Sequence, residues 1–283
     1  MNDVFLQPAS YTLAHGASGF AKNQSYVTPD IKKRENYHSV QIGEDAYFRR
    51  SDAIGVADGV GGWSNVKSSN PALYSRKLMH HAYLELEKFE NIEDPYFQKY
   101  EEASPLDVLQ SSYEKTCLAI LRHAELRIAN LGDCGISVIR HHNYIFQSEE
   151  QQHSFNFPFQ LGSKSPDKPR DAQSFTVRVQ KGDIIIMGSD GLFDNLFDKD
   201  ILSIVQSLVG PQAMSDRFMP IKPQIISDAL AKKAKSVSQT GLESPFQNKA
   251  TNEGIYYQGG KVDDISVVVA IVQDSESAPD RRL

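Results

Sequence analysis

Apolar residues in this chain gather in short, often β-branched runs separated by glycine-containing or polar turns, and a few longer stretches carry helical spacing instead. The runs at 45–50 (DAYFRR), 53–58 (AIGVAD), 116–122 (TCLAILR), 125–133 (ELRIANLGD) and 135–141 (GISVIRH) read as strands. So do 143–148 (NYIFQS), 174–179 (SFTVRV), 183–191 (DIIIMGSDG) and the near-continuous run 263–272 (DDISVVVAIV), which predicts a buried strand. Two segments open on a capping residue followed by proline, Asn70-Pro71 and Ser104-Pro105, predicting helices over 70–90 and 104–115. Asp198 precedes an apolar spacing at Ile201, Ile204, Val205 and Leu208, and 222–237 reads the same way. Residues 240–261 are polar and contain several glycines, which predicts a long loop. Strands and helix pairs are mixed without strict alternation. That order predicts an α+β domain of antiparallel sheets with helices outside, a single unit over 1–283 with its ordered core at roughly 10–274.

Composition narrows the chemistry. The chain has 283 residues, 40% of them hydrophobic, ample for one sizeable core. Its 30 basic and 36 acidic residues leave a net charge of -6, which argues against a nucleic-acid binder and leaves room for carboxylates gathered around cations. Cys117 and Cys134 form no CxxC pattern, so neither a disulfide framework nor a zinc site has support. No apolar run approaches the roughly 18 residues of a membrane helix. The first twenty residues, MNDVFLQPASYTLAHGASGF, show neither a secretory nor a mitochondrial presequence.

The informative positions are the strand ends. In GVADGVGGW an apolar run stops on Asp58, followed by Gly59. Asp-Gly is a common turn, and a metal ligand is the sharper alternative. The context repeats: IIIMGSDG ends on Asp190, LRIANLGD on Asp133, KVDDISVVV places Asp263 and Asp264 before a strand, and IGEDAYF places Glu44 and Asp45 before another. Carboxylates at the ends of buried strands are costly unless paired or bound to cations. Oxygen donors without His or Cys point to hard divalent ions, Mg²⁺ or Mn²⁺.

At these residues the chain resembles the metal-dependent protein phosphatases, the type 2C family of Ser/Thr phosphatases. GED, VADGVGG, NLGD, SDGLFDN and DDIS stand in the family's order from Glu44 to Ser266. Local text such as VADGVGGW, SEEQQHSFNFPFQL and GGKVDDIS is similar to the family's organellar branch, with its yeast mitochondrial and human members. The resemblance implies a four-layer αββα sandwich, a central antiparallel β-sandwich flanked by helix pairs. It implies that Asp58 bridges two metal ions with the Gly59 carbonyl, that Asp190 and Asp263 ligate directly, and that Glu44 and Asp45 hold metal-bound waters. Asp133 and Asp194, with Asp190, correspond to a weaker third site. The implied function is a Mg²⁺/Mn²⁺-dependent protein serine/threonine phosphatase with two ions per subunit, acting on phosphorylated proteins as a monomer by direct attack of a metal-bridging hydroxide. Residence in mitochondria is likewise implied by resemblance alone, with the cytoplasm as the other location.

The chain also departs from the family. Val40 stands where many members carry a phosphate-gripping Arg, and Val60 where many carry a His proposed as general acid. Arg34, Arg49 and Arg50 are nearby but read as surface residues. His153 is a candidate proton donor, set against a structural hydrogen-bonding role. Helix-like text runs almost straight from 115 into the strand at 116, which reads as a shortened segment. These departures keep open a second reading, a catalytically weak or inactive phosphatase-like binding protein. A third is a hydrolase of small phosphate esters.

Overall fold

Period-two alternation in the strands decides the architecture. A computed structural model of the chain describes residues 11–22, 37–61, 70–110, 116–162, 165–209 and 222–275. In chain order its first half contains β1 (Tyr11–Phe20), β2 (Val40–Ile42), β3 (Asp45–Arg49), β4 (Ala53–Ala57), α1 (Pro71–Lys88) and α2 (Pro105–Gln110). Then come β5 (Thr116–Arg122), β6 (Glu125–Leu131), β7 (Gly135–Arg140), β8 (Asn143–Gln147), β9 (Gln152–Ser154), β10 (Phe157–Pro158), β11 (Gln173–Arg178) and β12 (Ile184–Gly188). The chain closes with α3 (Asp190–Phe193), α4 (Asp198–Val209), α5 (Pro223–Ser238), α6 (Pro245–Asn252) and β13 (Ile265–Asp274).

The strands form a five-stranded sheet in the order β1-β13-β12-β7-β8 and a six-stranded sheet in the order β11-β6-β5-β4-β3-β2. The paired strands within both are antiparallel. Along β13, Val268, Ala270 and Val272 meet Ile54, Val56, Ile128 and Val138 between the sheets. Their alternates, Val267, Val269 and Ile271, face outward onto Ile201 and Val205 of α4 and Ile226 and Leu230 of α5. The other sheet turns Phe48, Ala57, Leu118 and Ile120 onto Leu78, Met79 and Leu86 of α1 and Leu109 of α2. Burial on both faces explains why β13 is an unbroken apolar run, each buried aliphatic side chain being worth about 1.5–3 kcal/mol. The result is the α+β, four-layer αββα sandwich that the resemblance implied.

Helix α1 starts as its sequence predicts, with Asn70 Oδ1 accepting from the Leu73 N–H at 3.0 Å and Pro71 in the first turn. Helix α2 covers the first part of the expected 104–115 segment; residues 111–115 lie outside the described residues. The following β5 nevertheless pairs with both β4 and β6 from Thr116 onward.

Two elements differ from expectation. The predicted loop over 240–261 contains α6, capped by Ser244, whose hydroxyl accepts from the Gln247 N–H at 3.1 Å. Only Phe246 and Ala250 are buried along it, an i,i+4 pair too brief to register as amphipathic periodicity. Strand β1, in the segment read only for a presequence, pairs with β13 from Tyr11↔Asp274 to Phe20↔Ile265. Its small residues and glycines hid it, because the long ladder supplies what its weak β-propensity does not.

Candidate metal centre

Register brings the acidic strand ends to one end of the sandwich. Ala46 pairs with Ala57, so Asp45, at the head of β3, and Asp58, just past β4, lie side by side. Thr116 pairs with both Ala57 and Leu131, which carries the end of β6, and hence Asp133, to the same edge. In the other sheet Gly188 is opposite both Val267 and Gly135, so Asp190, Asp263 and Asp264 emerge together beside Asp133.

The two sheets are laced here by backbone. Asp264, 3% exposed, accepts from the Lys22 N–H at 2.7 Å and the Glu44 N–H at 2.9 Å. Ser75 of α1 donates to the Glu44 carbonyl at 2.5 Å. Gly43 sits at φ +61°, and a Cβ there would lie 2.1 Å from Asp264 Oδ1. A Cβ on Gly59 would lie 2.3 Å from the Glu44 carbonyl oxygen. The glycines beside the acids therefore permit close approach of the two sheet ends. Asp264 does the joining and Asp263 faces the cluster.

The side chains are held by lysines. Lys261 Nζ donates to Asp190 Oδ2 at 2.6 Å and Asp194 Oδ2 at 2.8 Å, and lies 3.5 Å from Asp263 Oδ2. Lys22 Nζ donates to Glu44 Oε2 at 2.9 Å and Asp263 Oδ1 at 3.3 Å. Lys249, on α6, donates to Asp194 Oδ1 at 3.1 Å and also pairs with Glu150. Among the described residues, no three acids are arranged as a metal cage, and ammonium groups bridge the acids of the cluster.

Negative charge is nonetheless in excess. Burial pushes the Asp45 carboxyl well above the usual carboxylate range, and the nearby charges of Asp264 and Asp190 push the same way. Asp45 Oδ2 makes no hydrogen bond of good geometry among the described residues, while the nearby Ser189 and Ser266 hydroxyls pull its pKa back down. Asp263 is also raised, by burial and then by Asp190, against the pull of Lys261 and Lys22. For Lys261 burial opposes the charged form, but Asp190, Asp194 and Asp263 outweigh it and hold the ammonium well above its ordinary pKa. A buried orphan carboxylate oxygen in an all-oxygen cluster fits a hard divalent ion. A cavity of about 440 Å³ adjoins the cluster, lined by Asp133, Glu150, Phe193, Phe197 and Lys249 among others.

The chain matches no protein-family profile, but individual relatives are clear. "Probable protein phosphatase 2C 80" of Arabidopsis thaliana is 38% identical over 248 residues, covering 82% of this chain and 55% of that protein. The protein phosphatase PTC7 homolog of Xenopus laevis is 32% identical over 292 residues, covering 93% of this chain and 90% of that one. This chain belongs to the protein phosphatase 2C family. The X-ray structure of the photosystem II phosphatase PBCP superposes with a TM-score of 0.71 at 31% identity, covering 92% of this chain and 99% of that one. The chain spans about half the length of the first plant relatives, 55% and 49%.

Against that family, the departures take physical form. Val40 is 45% exposed on β2 and carries no charge into the site. Arg50, expected at the surface, is instead buried, with Nε 2.8 Å from Asp52 Oδ1 and Nη2 2.9 Å from Glu90; Arg49 is exposed and Arg34 lies outside the described residues. His153 Nε2 lies 3.0 Å from Asp167 Oδ1 and its ring stacks on Phe159 at 4.0 Å, the partners of a structural hydrogen-bonding residue. Sequence reasoning missed Lys22, Lys249 and Lys261, and it missed Asn195, which hydrogen-bonds the backbone of Lys261. The one legible signal was Lys261, inside the quoted GGKVDD text.

Proposed function

We propose that this chain is a Mg²⁺/Mn²⁺-dependent protein serine/threonine phosphatase acting on phosphorylated proteins, with its reaction centre at the acidic end of the sandwich. The observation that supports this most directly is the convergence of Asp190, Asp194 and Asp263 within 3.5 Å of one cation, the Lys261 ammonium. Asp58, Asp190 and Asp263, with the Gly59 carbonyl, would hold two divalent ions, and Glu44 and Asp45 would fix water around them. Asp133 and Asp194 would complete a weaker third site with Asp190. When bound, such ions supply Lewis acidity toward water and phosphoryl oxygens.

The remaining work belongs to the chain. Asp264 orients Glu44 by accepting its N–H, and α1 holds the Glu44 carbonyl through Ser75. Buried Asp45 lies beside Asp264 and Asp190, and the like charge gathered there is what a divalent ion at this end would offset. The adjoining cavity lies on the Asp133 and Lys249 side of the cluster, and of the acids proposed to hold metal only Asp133 lines it. No cysteine nucleophile is required: Cys134 is buried, and the centre is built from carboxylates. The resemblance to the family's organellar branch supports a mitochondrial setting, and among the described residues no helix is long and apolar enough to cross a membrane. The reading is of a monomer made of one domain.

Hydrolysis of p-nitrophenyl phosphate and a phosphopeptide tests this. Activity should require Mn²⁺ or Mg²⁺, vanish in EDTA, and fall by roughly 100-fold or more in Asp58→Asn and Asp190→Asn. Activity that survives EDTA, or mutants at the wild-type rate, would overturn the reading.

A further inference from the structure

The carboxylates assigned to metal already have an occupant, and its placement is built. The Lys261 ammonium touches Asp190, Asp194 and Asp263, and its side chain is 16% exposed. Its backbone is clamped at both polar atoms. The Lys261 N–H donates to Asn195 Oδ1 at 3.0 Å, and its carbonyl accepts from Asn195 Nδ2 at 2.9 Å. Asn195 Nδ2 also donates to the Gly191 carbonyl at 2.9 Å, one residue from Asp190. Asn195 is 1% exposed, so the clamp is part of the core. The stem beyond it keeps its rotatable bonds, and the Phe246 ring lies 5.0 Å from the ammonium as a second cation-stabilising surface.

A carboxylate oxygen cannot serve a divalent ion at about 2.0–2.6 Å while holding an ammonium at 2.6 Å without placing two cations in near contact. A lysine is suited to leave: it is a compact point charge on a flexible stem, without the rigid two-pronged fit of a guanidinium. We propose that Lys261 is the resident counter-cation of this centre. Its ammonium neutralises the carboxylates in the metal-free protein and must withdraw from Asp190, Asp194 and Asp263 before they ligate a divalent ion. Lys261 thereby sets the metal affinity and keeps the acidic end folded when metal is scarce. This inference rests on the metal-centre reading above.

Mn²⁺ titration calorimetry and thermal melts of wild type, Lys261→Met and Asp190→Asn test it without recourse to turnover. Lys261→Met should bind Mn²⁺ about tenfold tighter or more and melt lower than wild type without metal, the two melts converging when metal saturates. Asp190→Asn should bind weakly. Equal or weaker binding by Lys261→Met, alongside clear wild-type binding, would overturn the exchange and leave the metal centre standing. Absence of Mn²⁺ binding from both proteins would overturn the centre and the exchange together. Should Lys261→Met fail to fold, wild type answers alone: reductive methylation of Lys261, read by peptide mass spectrometry, should rise severalfold when Mn²⁺ is added. Unchanged or reduced labelling would overturn the proposal.

Discussion

At one end of the β-sandwich buried charge is paired by arginine, and at the other by lysine. Away from the cluster, Asp52 is gripped by Arg50 Nε at 2.8 Å and Arg122 Nη1 at 3.2 Å, and Arg122 is fully buried against the Tyr100 ring, 3.8 Å from its centroid. In the facing sheet, Arg140 binds Asp183 through two nitrogens, at 2.8 and 2.6 Å. At the cluster, Glu44, Asp45, Asp58, Asp133, Asp190, Asp194, Asp263 and Asp264 outnumber Lys22, Lys249 and Lys261, and the contacts are single ammonium bonds. Planar guanidinium groups make pairs of fixed geometry, whereas ammonium groups make pairs that can be undone. One end carries fixed arginine pairs; at the other, acids outnumber the ammonium groups that face them.

Breaking the arginine end should have the largest effect. Asp52→Ala leaves two buried guanidinium groups without their shared partner and should cost about 3–5 kcal/mol in chemical denaturation, with the phosphatase rate per folded molecule unchanged. A cost below about 1 kcal/mol, the range of exposed pairs, would erase the contrast between the ends.

Gly43→Ala attacks the lacing of the acidic end. It places a side chain at φ +61°, 2.1 Å from Asp264 Oδ1, and should cost about 1–3 kcal/mol while weakening Mn²⁺ binding in the same titration. Wild-type stability and affinity would show that Asp264 has room to move.

The smallest effect has the opposite sign. Asp45→Asn should stabilise the metal-free protein by about 1 kcal/mol, because the ionised carboxyl is held against burial and like charge. An acid raised in the folded state binds more protons there than when unfolded, so its ionisation is a penalty that grows as pH rises from the ordinary carboxylate range to the raised value. The gain from Asn should therefore be full above that raised pKa and vanish as pH falls toward the unfolded carboxylate range. The same variant should bind Mn²⁺ less tightly. Destabilisation at neutral pH would contradict the account of Asp45.

Much of this was legible in the chain because strand periodicity and strand ends are local properties. Asp45, Asp58, Asp133, Asp190 and Asp263 each stand where an apolar run begins or stops, and antiparallel pairing turns that shared position into shared space. Helix α6 and strand β1 were not legible, since the first buries only Phe246 and Ala250 and the second depends on its ladder with β13. The lysines escaped for another reason. Lys22 and Lys249 are far from their acids in sequence, and nothing in their own neighbourhoods marks a lysine whose charge is spent inside a cluster. The resemblance identified the acids that would hold metal and was silent on the cations that hold those acids.

The most direct test is anomalous diffraction at the manganese edge from crystals of the full chain grown with Mn²⁺. The account predicts strong peaks bonded to Asp58, Asp190 and Asp263, with the Lys261 ammonium moved off Asp190 and Asp194. Manganese bound elsewhere, or a Lys261 still seated on those carboxylates at saturating metal, would contradict it.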